Sequence, residues 1–138
     1  MLFRSVQSGR MPNNLWRQYS SDLLWDEDFN PEGLAEGGEW LFPGAGVSVF
    51  ANALQMVADE DSNTGRAQWV FSEQAGFETQ LPFESRLRLA AAYHKWSDEN
   101  RSDFGQTAVG VTQNGNRRVG NTLVNRFGVG EVDRKSVV

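Results

Sequence analysis

The chain has 138 residues, no cysteine and a formal charge of −5, which excludes disulfides, thiolate metal sites and cysteine nucleophiles and argues against a general nucleic-acid binder. Hydrophobic residues make up 39%, too many for a disordered chain, yet nowhere do they run for the roughly 18 residues that a transmembrane helix needs. Transmembrane strands escape that second test, because every other residue can be polar.

Fourteen glycines, nine phenylalanines and five tryptophans favour a sheet protein with many turns. In chain order, residues 2–10 read as a strand closing on Gly9-Arg10, and Met11-Pro12-Asn13-Asn14 as a turn. The opening MLFRSVQSGR has neither a long apolar core nor a small-residue cleavage site, so it is not a secretory signal. Residues 16–25 are expected to form a second strand, with Tyr19, Leu23 and Trp25 on one parity. A polar loop over 26–33 leads to a weak strand at about 33–41, broken at Pro43-Gly44. Residues 45–57 make a better strand, with Val47, Val49, Ala51, Ala53 and Val57 in alternation. A second polar loop spans 59–65.

Residues 66–95 carry the strongest pattern. Trp69, Phe71, Ala75, Phe77, Thr79 and Leu81 share one parity, and Gln68, Ser72, Gln74, Glu78 and Gln80 the other. Leu87, Leu89, Ala91 and Tyr93 then alternate with Arg86, Arg88 and His94. A period of two marks a strand with one apolar and one polar face, and Pro82-Phe83-Glu84 supplies the turn between two such strands. Each arm is long enough to cross a bilayer at a tilt. Glu73 conflicts with this reading, because it shares the apolar parity; either a bulge shifts the register there or that face is not lipid. A third polar loop covers 97–103, a strand 104–112, a turn Asn114-Gly115-Asn116, and a last strand about 119–132. No linker divides the chain, so 1–138 is read as one domain.

Charge is unevenly placed. Ten acids and no Lys or Arg lie between Asp22 and Asp61; that block sums to −10 and the remainder to +5. In a meander every second connection lies on the same side. The acidic connections 26–32, 58–65 and 97–103 are therefore expected at one end, and those holding Pro12, Pro43, Pro82 and Gly115 at the other. Transmembrane barrels have this asymmetry of longer loops and short turns. Trp16, Trp25, Trp40, Trp69 and Trp96 each fall near a strand end, as an interfacial aromatic girdle requires. Arg86, Arg88, His94, Glu78 and Gln80 are the candidate pore-lining residues, since fixed charges on a pore wall select among ions.

Chemistry has little support. Asp26, Glu27, Asp28 and Asn30 form an acidic loop with oxygens at alternate positions, but Pro31 stands where a calcium loop needs glycine. A plain turn is the simpler reading, and a loose divalent-cation site the sharper one. His94 is the sole histidine and lies on the polar parity, so no zinc set exists and a solvated histidine is expected. No G-x-S-x-G, Walker or G-x-G-x-x-G pattern occurs. No catalytic residues and no cofactor are expected.

The run GRMPNNLW…SDLLWDEDFNPEGLA resembles a signature of bacterial outer-membrane "putative porins", and WVFSEQAGFETQLPFESRLRLAAAYHKW and GNTLV resemble further segments of that family. The resemblance covers about residues 9–132. It implies an outer-membrane β-barrel that passes small hydrophilic solutes or ions by diffusion, with the lipid bilayer as partner and room for a homo-oligomer in the full-length form. The family's members are longer and carry a signal peptide, and outer-membrane barrels typically end on an aromatic residue. The expected fold is therefore all-β: an antiparallel up-and-down meander of about six or seven strands, part of a transmembrane β-barrel and an internal or truncated fragment of it. The alternative is a soluble all-β module binding carbohydrate through Trp69, Trp96 and Tyr93, which accounts for the aromatics and Glu73 but not for the long strands or sorted loops.

Overall fold

The computed structural model describes residues 2–17, 30–61, 66–97, 118–119, 122–123 and 128–137. Its strands are β1 (Leu2–Arg10), β2 (Glu32–Phe42), β3 (Val47–Asp61), β4 (Arg66–Leu81), β5 (Ser85–Trp96), β6 (Arg118–Val119), β7 (Thr122–Leu123) and β8 (Gly128–Val137). Six of them form one antiparallel sheet in the order β1-β2-β3-β4-β5-β8, and β6 pairs with β7. The sheet is an open meander, consistent with part of a barrel wall, with no α-helix among the described residues.

The β4–β5 hairpin follows its alternation. Gln80 pairs with Arg86, Glu78 with Arg88 and Ser72 with His94, all on one face; Phe77–Leu89 and Glu73–Tyr93 alternate on the other. Proline at 82 ends the ladder, and Phe83 and Glu84 turn the chain at φ +64° and +57°. The connection between β2 and β3 is equally short: Pro43–Ala45 forms one 3-10 turn, closed by Gly46 at φ +62°. Of the two accounts of Glu73, the bulge is not there: the register is regular around it, and the one register shift of β3 against β4 falls between Val57 and Asp59.

Two faces result. The outer face exposes Val49, Phe71, Phe77, Tyr93 and Val132. The inner face holds Ser48, Phe50, Leu54, Met56, Gln68, Val70, Ser72, Gln74, Ala90, Ala92 and His94, all buried.

What buries them corrects an expectation. Residues 11–17 are not a turn followed by a strand. They leave β1 at Pro12, which has no N–H for a ladder, and lie against the inner face. Met11 and Leu15 are buried with Ala35, Leu54, Met56 and Val70, and Trp96 packs against the group. Without this cover, Leu54, Met56 and Val70 would stand on the polar side of the sheet; burying each stabilises by about 1.5–3 kcal/mol. Side chains replace the missing ladder. Leu15 N–H donates to Asn13 Oδ1 at 3.0 Å, and Asn14 Nδ2 donates to the Glu36 and Ala53 carbonyls at 3.1 and 3.4 Å. Met11 N–H reaches the Pro31 carbonyl at 3.0 Å.

The antiparallel order sets the connections after β1, β3 and β5 at one end, as expected for the acidic segments, and those of Pro43 and Pro82 at the other. Pro12 belongs with the acidic end, because it follows directly on β1, whose last residue Arg10 pairs with Glu32 at the start of β2. The rest of the expected second strand, the strand 104–112 and the turn at Gly115 lie outside the described residues. The last strand of the sheet is 128–137 rather than 119–132.

Candidate functional site

The inner face divides by depth. Towards the acidic end Leu54, Met56 and Val70 lie under residues 11–17, beside the buried polar Gln68, Ser72 and His94; towards the proline turns the face carries charge. Gln74 marks the boundary. Its side-chain amide binds the covering segment as a strand would, accepting from Trp16 N–H at 2.7 Å and donating to the Trp16 carbonyl at 2.7 Å. Asn52 Nδ2 donates to the same Gln74 oxygen at 3.1 Å. This fixes the indole of Trp16 edge-on to Phe50, with ring centroids 6.2 Å apart.

Arg88 stacks on that pair, its guanidinium carbon 4.1 Å from the Phe50 ring centre and 5.0 Å from that of Trp16. A guanidinium is weakly hydrated for a cation and stacks favourably on aromatic faces, so the stack helps to hold the charge in place. Glu78 lies across the strand pair, Oε2 3.6 Å from Arg88 Nη1. Gly76 makes the room: a Cβ there would run into the Phe50 ring and the Leu89 carbonyl. On β8, Lys135 pairs in register with Arg88. Arg86 and Gln80 are exposed one step nearer the turns.

All five residues singled out for the lumen, Arg86, Arg88, His94, Glu78 and Gln80, therefore share the inner face. His94 differs from the others and from the solvated histidine expected. It is 0% exposed, with Nδ1 2.8 Å from Ser72 Oγ and Nε2 3.4 Å from Glu131 Oε2. It braces β4 to β5 and β8 and offers nothing to a passing solute. The residues missed were Gln74, Asn14 and Phe50. Their signal was the apolar run Phe50, Leu54, Met56 and Val70 on the polar parity, which demands a cover.

The tryptophans split. Trp40 and Trp69 point outward near opposite ends of the sheet, 37% and 38% exposed, as a girdle requires. Trp16 and Trp96 are corrected to the inner face, where Trp16, within the covering segment, lies against Phe50 and Arg88, and Trp96 packs against the buried cluster that includes Met11 and Leu15. The inward turn of Trp96 also separates it from Trp69 and Tyr93, so the carbohydrate platform of those three does not form. Trp25 and the acidic residues Asp26, Glu27 and Asp28 lie outside the described residues; Asn30 is exposed beside the buried Pro31. Among the described residues no group of His, Cys, Asp and Glu could hold a metal ion.

A long-stranded antiparallel meander that exposes large apolar side chains on one face and is partly covered by its own chain on the other, charged face is consistent with part of a barrel wall. The chain belongs to the putative porin family, whose model matches residues 4–124. No curated protein and no solved structure matches.

Proposed function

We propose that this chain forms part of the wall of an outer-membrane pore through which small hydrophilic solutes or ions diffuse. The carrying observation is the division of faces. Phe42, Val49, Phe71, Phe77, Leu81 and Val132 are 39–81% exposed on the described surface, a burden in water and an asset in lipid. Arg86, Arg88, Glu78 and Lys135 share the opposite face at the turn end, the face that lines the pore in this reading. In this reading the bilayer is the partner, and the protein performs no chemistry and needs no cofactor. Selectivity comes from Arg88, held by the Phe50–Trp16 stack, from the exposed Arg86, and from the width left beside residues 11–17.

The test is reconstitution of the purified protein into planar bilayers and liposomes. Stepwise conductance, with uptake of small sugars that falls with solute size, is expected. Membrane-inserted protein that neither conducts nor admits sugar overturns the proposal, and a monodisperse monomer in detergent-free buffer restores the soluble module.

A further inference from the structure

Glu39 of β2 pairs in register with Phe50, so it stands on the inner face, half-buried. Its neighbours on that side of the strand, Gly37 and Leu41, carry no charge. The inner-face carboxylates of β4 and β8 each have a basic residue close by. Glu78 lies beside Arg88 and Glu131 beside His94, and Asp133 is one row from Arg88 and Lys135. Among the described residues no ion pair joins Glu39 to a partner, and the same holds for the exposed Arg86. Arg88 is only loosely engaged. Glu78 approaches one nitrogen of its guanidinium, at 3.6 Å, well beyond the roughly 2.8 Å of a tight charge-assisted bond. The guanidinium stands over the Phe50 ring, whose tip leans towards Gly76 of β4. Its charge is therefore about two strands from β2, roughly 10 Å at about 4.8 Å per strand.

The face thus holds two poles of opposite sign that do not meet. The stack on Phe50 and Trp16 keeps the guanidinium where it is, so it does not collapse onto Glu39 and cancel it. A simple anion drawn to Arg86 and Arg88 is repelled by Glu39, and a simple cation drawn to Glu39 is repelled by the arginines. A solute that carries both charges is attracted at both ends. We infer that this part of the inner face is a subsite for zwitterionic solutes of amino-acid size. The ammonium group donates to the Glu39 carboxylate, and the solute's carboxylate accepts from Arg88 and Arg86. Two charge-assisted bonds of about 2.8 Å within a span of roughly 10 Å leave roughly 4 Å between the solute's own charges, which suits an amino acid.

This inference rests on the inner face lining a pore. Its test is uptake by liposomes holding the full chain, with three solutes of matched size: threonine, a zwitterion; threonate, an anion; and erythritol, uncharged. Each rate is scaled to erythritol uptake by the same preparation, so the number of inserted pores cancels. Threonine uptake is expected to saturate with concentration, and erythritol uptake to rise in proportion. Glu39→Gln keeps the shape and removes the charge. It is expected to raise the half-saturating threonine concentration about tenfold, as the loss of one bond to a charged group does, and to speed threonate. Arg86→Gln weakens threonine and threonate alike. Threonine uptake that rises in proportion as erythritol does, a half-saturation that Glu39→Gln leaves unchanged, or threonate that saturates below threonine overturns the subsite and leaves the pore. Absence of erythritol uptake removes the pore itself, and the subsite with it.

Discussion

Replacing Gln74 by alanine tests whether residues 11–17 are held to the wall by one side chain. The change removes both 2.7 Å bonds to the Trp16 backbone and the 3.1 Å bond from Asn52. A bond of this kind contributes about 0.5–1.5 kcal/mol net, and a buried group left without a partner costs about 1–3 kcal/mol. Trp16 is half-buried and Asn52 likewise, so water recovers part of the loss. About 2 kcal/mol remains, which is a roughly 30-fold increase in local opening at one decade per 1.4 kcal/mol. Amide hydrogen exchange reads this directly, and the Trp16 N–H is expected to exchange about 30-fold faster in the variant. Glu73→Gln, one residue away on the opposite face, is the control and leaves Trp16 protected. If exchange at Trp16 in Gln74→Ala stays within about threefold of wild type, the amide does not hold the segment and the reasoning fails.

Leu54 is 0% exposed beneath Met11 and Leu15, so Leu54→Ala is expected to cost about 2–5 kcal/mol, read as a lower unfolding midpoint in detergent. Gly76→Ala forces a methyl group against a backbone carbonyl and the Phe50 ring. It is expected to destabilise by about 1–3 kcal/mol and to disturb the Arg88 stack, whereas Gly130→Ala, with open space around it, changes nothing measurable. Reversing Arg86 and Arg88 to glutamate places new carboxylates beside Glu78 and moves ion selectivity towards cations; unchanged reversal potentials in bilayer recordings remove both arginines from the solute path.

The hairpin of β4 and β5 was legible because two long, strictly alternating runs flank a proline, and a shift of one residue would turn every apolar side chain to the wrong face. The same logic placed Arg86, Arg88, Glu78 and Gln80 together on one face. The fate of residues 11–17 was not legible, because alternation says which residues share a side, not what lies over that side. Leu15 and Trp16 satisfy a strand pattern and an inserted segment equally well. His94 was misread for the same reason. Its polar parity is real, but the neighbours that bury it, Ser72 and Glu131, come from β4 and from β8, some 22 and 37 positions away. Glu73 was visible as a conflict in the sequence, and the regular register around it shows that the conflict is built into the surface rather than relieved by a bulge.

The covered inner face and the sunken outer face bear on one another. A barrel wall normally has water on one side and lipid on the other, and each side chain is chosen for the medium it meets. Around the middle of β3 and β4 neither medium is what the sheet is built for. Inside, Leu54, Met56 and Val70 are apolar where water is expected, and the chain's own residues 11–17 lie on them. Outside, Glu73 and Glu36 are ionisable where lipid is expected, and alanines and glycines leave a hollow over them. The first mismatch is resolved by a protein segment that the structure shows. The second has the same form, a run of residues that suits neither water nor lipid throughout. What differs is the geometry. A segment tethered at Arg10 and Pro31 can reach the inner face of its own sheet without leaving the chain. The outer hollow opens away from the described wall, on the side opposite to that segment.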